Sequence, residues 1–123
     1  MLRQILLLAL PLFFGSCASS LNPCSRDPSI NLVHEDPRCR CNGAIQAELE
    51  SRHDLFPLMV ENLKHANGDV RLITGTAIRK LSGIDSGYQS FGSSEEQKRA
   101  IHRWEIWWSN SQWEMNHRQE KAE

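Results

Sequence analysis

The residues best suited to chemistry lie near the front of the chain, where Cys24, Cys39 and Cys41 surround the run His34-Glu35-Asp36. Thiolates, an imidazole and carboxylates within one short stretch offer the ligand types of a metal or redox site. The spacing departs from the paired Cys-x-x-Cys pattern of structural zinc sites, and mixed thiolate and carboxylate donors select no single metal. The competing reading is structural. Cys39 and Cys41 are too close to bridge without strain, so Cys24 paired with either one is the expected disulfide, leaving one thiol without an intrachain partner. Closing a loop of about fifteen residues would stabilise a small domain by roughly 3 kcal/mol. No metal or cofactor is expected on this reading.

Five histidines also invite a catalytic interpretation. His53 and His65 fall near expected helix ends, where a cation suits the dipole, His102 lies on a polar helix face, and His117 belongs to the tail. The chain has no nucleophile elbow, phosphate loop or paired-histidine helix. A non-catalytic protein is therefore expected. Aromatic residues carry the other signal: Trp104, Trp107 and Trp108 share helical spacing and read as core, because each indole brings a large apolar area. Ile106 and Trp113, seven residues apart, fall on another side. With Leu72, the one apolar residue on the polar side of its own helix, they are the candidates for an exposed binding surface.

The elements that must position these residues are helical. From Asp69 to Leu81 one stripe collects Val70, Ile73, Thr74, Ala77, Ile78 and Leu81, with Asp69 placed to cap the start and Gly83 to end it. A second pattern begins at Ser94, where Gln97 three residues later suggests a capping box, and runs through Ala100, Ile101, Trp104, Trp107 and Trp108, with Met115 extending that face. Before them, Leu55, Phe56, Met59 and Leu63 form an apolar face behind Pro57, with Asp54 as the expected cap. The fold class expected is all-α: a small bundle, a helical hairpin capped by a tryptophan-rich C-terminal helix and preceded by an irregular N-terminal segment. The expected divisions are a targeting segment over 1–16, a tether and cysteine-containing segment over 17–42, a helical domain over 43–116 and a polar tail over 117–123.

The front of the chain has the form of a signal. Arg3 precedes an apolar run from Ile5 to Phe14, too short for the roughly twenty residues that span a bilayer. Phe14-Gly15-Ser16-Cys17 resembles the bacterial lipobox, which implies that Cys17 is lipidated after cleavage. A secretory signal cut after Ala18 is the alternative, giving a secreted or periplasmic chain. Formal net charge is -1, with no block of like charges, so nucleic acid is not an expected partner. Any membrane link would rest on acyl chains.

The stretch "DLFPLMVENLKHANGDVRLITGTAIRKLSG" resembles one HEAT-type repeat. Its first helix is leucine-rich, its turn is Asn-Gly-Asp, and its second helix opens with Asp69-Val70-Arg71 and continues through Ala77 and Leu81. The sequence that follows is similar to a terminal element of some bacterial HEAT-like proteins, with Gly87-Tyr88 ahead of an acidic helix start and Trp104, Trp107 and Trp108 near its end. The resemblance implies one to one-and-a-half repeats of an α-solenoid that binds another protein through an exposed face. Taken together, these features lead us to expect a lipid-anchored protein of the bacterial cell envelope, on the outer membrane where there are two, with another envelope protein as partner. A thiol or metal-handling protein using Cys24, Cys39 and Cys41 is the alternative.

Overall fold

The structure is a computed structural model in which residues 21–122 are described. Cys17 and the targeting segment lie outside them. Five α-helices run in order: α1 (Pro28–Asn31), α2 (Pro37–Leu49), α3 (Phe56–Asn62), α4 (Gly68–Ser82) and α5 (Ser94–Ala122), with a 3-10 turn at His53–Leu55 ahead of α3. No strand occurs among the described residues, so the all-α class holds.

Helix formation begins earlier than the expected boundary at 43. Asp27 and Asp36 each accept from the backbone amide two residues on, and each is followed by proline at the first helical position. The Asp-Pro pairs that read as loop chemistry are therefore N-cap and N1 signals. The segment expected to be irregular becomes helical at Pro28, and Cys39 and Cys41 ride on α2 and not on a loop.

Other ends shift for similar reasons. Asn67, not Asp69, caps α4, its side chain accepting from the amides of Asp69 and Val70. Asp54 does not cap α3 but pairs with Arg52 in the 3-10 turn. The Glu96 amide donates to Ser93 Oγ, one residue before the expected cap, and Gln97 turns away to the carbonyls of Gln89 and Ser90. Gly83 does end α4, adopting φ 70° in the left-handed region. The tail expected to be a separate polar element continues α5 to Ala122.

An internal repeat accounts for the early helices. Moving from Asn31 to Asn62 brings Asn31-Leu32, His34, Asp36 and Arg40 onto Asn62-Leu63, His65, Asn67 and Arg71. The geometry repeats as well. Both asparagines and both leucines are buried. His34 Nδ1 accepts from the Asp36 amide at 2.9 Å, and His65 Nδ1 from the Asn67 amide at 3.0 Å.

Both arginines fold back on turn carbonyls, Arg40 to Leu32 and His34, Arg71 to His65 and Ala66. Each also reaches the following unit: Arg40 donates to Asn62 Oδ1 at 2.7 Å and Arg71 to the Ser90 carbonyl at 2.9 Å. Gln97 makes the corresponding return at the start of α5.

The core lies where these units stack. α2 packs on α4 through its small residues Ala44 and Ala47 and α3 adds Phe56, Met59 and Val60; Ile78 and Trp104 close the same cluster. Gly43 is required by close approach, since a Cβ there would stand 2.8 Å from the Leu32 nitrogen. Phe56 stacks on Trp108 at 5.0 Å between ring centroids and meets Trp107 at 5.3 Å, so the expected indole cap is present. Met115, expected to extend this face, is exposed instead.

Candidate functional site

The cysteine segment is a clip. Cys24 and Cys39 form a disulfide with Cα atoms 5.1 Å apart, and Cys39 is fully buried on α2. Asn31 holds the same strand of chain: its amide nitrogen donates to the Ser25 carbonyl and to Gln46 Oε1, while the Ser25 amide donates to Asn31 Oδ1, all at 2.8 Å.

Among the described residues Cys41 is the free thiol, half-buried, and burial followed by the nearby Asp69 carboxylate pushes its pKa up, which lowers its reactivity as a nucleophile. Nor do the neighbouring ligand types converge. His34 is occupied by the Asp36 amide, and Asp36 is held by the Arg38 guanidinium, which keeps its carboxyl down at about 2. Among the described residues no group of three His, Cys, Asp or Glu side chains is arranged to hold a metal ion. In this oxidised state neither Cys24 nor Cys39 offers a thiolate.

The connector from Gly83 to Ser93 is held by α5 and by the repeat before it. Trp104 Nε1 donates to the Ile84 carbonyl at 3.1 Å and Arg103 to the Ser86 carbonyl at 2.7 Å. Gly87 takes φ 79°, and its amide closes on Asp85. Tyr88 then lies over Gly75, where a Cβ would come within 2.9 Å of the ring, and its hydroxyl donates to the Leu63 carbonyl at 2.8 Å. Gly87, Tyr88 and Trp104, singled out from the sequence, thus hold the connector between the repeat and α5.

The binding-surface candidates divide. Leu72 is exposed on α4 in a shallow depression with Thr76, Arg79 and Tyr88. Ile106 and Trp113, 48% and 61% exposed, stand on α5, where the neighbours of Trp113 are Glu114, His117, Arg118 and Lys121 of the same helix. Trp113 stacks on His117 at 3.9 Å. The three residues therefore do not form one patch: Leu72 has a different setting. Beyond Trp108 no side chain of α5 is buried, so the second half of the helix carries Trp113 away from the core. Its exposure was suggested by the seven-residue spacing to Ile106, whereas the length of the unsupported helix was not.

A groove of about 530 Å³ runs between the end of α3 and the start of α5, lined by Leu63, Lys64, Lys98, Ile101 and His102 among others. Its lysines are already matched, Lys64 with Glu61 and Lys98 with Glu95, and His102 Nδ1 lies 3.8 Å from Glu105 Oε2. No helix of the described residues is long and apolar enough to cross a membrane. Comparison with protein-family models, with curated proteins and with solved structures gives no match.

Proposed function

We propose that this chain is a non-catalytic, lipid-anchored protein of the bacterial cell envelope that offers a helical surface to another protein chain. The observation that carries the docking role is the Ile106 and Trp113 stripe on a helix that outruns its own core. An isolated helical segment of about 12–15 residues is marginal in water, so an apolar stripe on such a segment is best supported by a covering chain. The internal repeat favours a short stack of HEAT-like units as the platform, since stacked units present one continuous face. Anchoring rests on the lipobox-like Phe14-Gly15-Ser16-Cys17 and the apolar run before it.

Fractionation of cells expressing Cys17→Ala tests the anchor. The variant is expected to move from the membrane to the soluble fraction, and unchanged partition would remove lipid attachment from this reading. Site-specific photocrosslinking from position 113 tests the docking role. A discrete protein adduct is expected there, with none from exposed Lys80 on α4 as comparison.

A further inference from the structure

We infer that the chain covering the α5 stripe is a second copy of this protein, paired antiparallel about a twofold axis near Asn110; this inference rests on reading the stripe as a docking surface. At 3.6 residues per turn Ile106 lies roughly 160° around α5 from the buried Trp104, so the stripe points directly away from the core. A second helix can lie along it on the side of α5 opposite buried Trp104. Arg99, His102, Asn110, Trp113, His117 and Glu120 continue the stripe within about 40° of Ile106 at the same helical repeat. All but half-buried His117 are exposed.

The order of these residues selects the partner and its direction. When Ile106 faces Trp113 of the partner subunit in an antiparallel pair, Arg99 faces Glu120 of the partner subunit, and each contact occurs twice. Among the described residues Arg99 and Glu120 make no ion pair within their own chain, which leaves both available. Asn110 then meets Asn110 of the partner subunit beside the axis, the kind of polar pair that fixes register in a helical seam. His102 faces His117 of the partner subunit.

Like charges at matching heights, Glu105 with Glu114 and Lys98 with Lys121, fall on opposite flanks of the seam and do not meet. A parallel pair in register would set Arg99 against Arg99 and Glu120 against Glu120. Charge therefore favours the antiparallel arrangement and penalises the other.

The experiment uses the full chain in mild detergent with Cys41→Ser to remove the free thiol of α2. Adding Asn110→Cys is expected to give a disulfide-linked dimer on mild oxidation, whereas His102→Cys, far from the axis, gives none. Arg99→Glu should weaken dimerisation about tenfold, corresponding to about 1.4 kcal/mol, and Arg99→Glu with Glu120→Arg should restore it. Trp113→Ala should abolish the dimer while leaving the helical circular-dichroism signal in place. A monomer at every concentration in sedimentation, failure of Asn110→Cys to link, or linking through His102→Cys would each overturn the pairing. A photocrosslinked adduct of a different chain at position 113 would do so while leaving the docking role intact. Membrane partition is read independently.

Discussion

Arg40 and Asn62 join the two repeated units: the guanidinium donates to Asn62 Oδ1 at 2.7 Å, while Asn62 Nδ2 donates to the Leu32 carbonyl at 2.9 Å. Arg40 also donates to that carbonyl, so arginine, amide and turn form one closed set of hydrogen bonds around the end of α1. The turn cannot move without exposing buried acceptors. Arg40→Ala should lower unfolding free energy by about 2 kcal/mol, the usual range for charged hydrogen bonds whose partners stay buried. Arg40→Lys should recover less than half of this, because an ammonium lacks the planar fork that spans these acceptors. Urea denaturation of the three proteins checks both expectations.

The disulfide joins residues 15 apart and secures the chain ahead of α1 to buried Cys39. Replacing Cys24 and Cys39 together with serine and alanine should cost about 3 kcal/mol on the chain-entropy argument. Most of the loss should appear locally. Amide exchange should accelerate at Ser25, whose amide donates to Asn31, and change little at Ile101 and Trp104 in α5. Equal acceleration in both regions would show the clip to be needed by the whole fold.

His65 provides a pH test. Burial first, then the Arg40 and Arg71 charges, lower its pKa, and its Nδ1 must stay unprotonated to accept from the Asn67 amide. The folded-state value is below the unfolded one, so the unfolded chain takes up the proton more readily. Stability should therefore fall as pH drops through about 6.5, the ordinary histidine value. Thermal midpoints measured at either side of that value should show a decrease on the acid side that is smaller in His65→Gln.

Much of the second half was legible because its signals are local. Val70, Ala77 and Ile78 mark the buried stripe of α4, Gly83 marks its end, and Trp104 with Trp107 and Trp108 marks the face of α5 that closes the core. The first half was obscured by composition. Ala44, Ala47 and Gly43 bury by being small, leaving α2 almost without an amphipathic signature, and Pro28 and Pro37 resemble loop punctuation until the preceding aspartates are recognised as caps.

The signal that reveals α1 and α2 is comparison of the chain with itself, where Asn-Leu-x-His recurs at 31 and 62. Disulfide choice was open between Cys39 and Cys41 because both precede the geometry of a helix that presents only Cys39 to Cys24. The exposure of Ile106 and Trp113 was legible in their spacing, but not the separation of Leu72 from them, which depends on tertiary placement.

Close packing at Gly43 gives a sharper test of the repeat than loss of a surface contact. A Cβ at this position would stand 2.8 Å from the Leu32 nitrogen and 2.9 Å from the Asn31 Cβ, so α1 would have to retreat from α2. Gly43→Ala should destabilise by about 1–3 kcal/mol despite alanine's higher helix propensity. Calorimetry should show a lower midpoint. A higher one would mean that α1 yields freely and that α2 is not held against it.

The caps of α2 and α4 occupy equivalent positions but carry different side chains, Asp36 and Asn67. Either oxygen can accept from the helix-start amides, so Asp36→Asn should retain most of the cap, whereas Asp36→Ala should cost about 1 kcal/mol. Acid separates the two functional groups. Hydrogen bonds from Arg38, side chain first and backbone second, lower Asp36 from 3.8 to about 2. With a depressed folded-state pKa, its contribution is fully present above the unfolded value and disappears as pH falls from about 4 towards 2. Over that window the wild type should lose more thermal stability than Asp36→Asn, whose amide does not titrate. Parallel acid titrations followed by circular dichroism check this difference, and coincident curves would show that the carboxylate adds nothing that a neutral cap cannot supply.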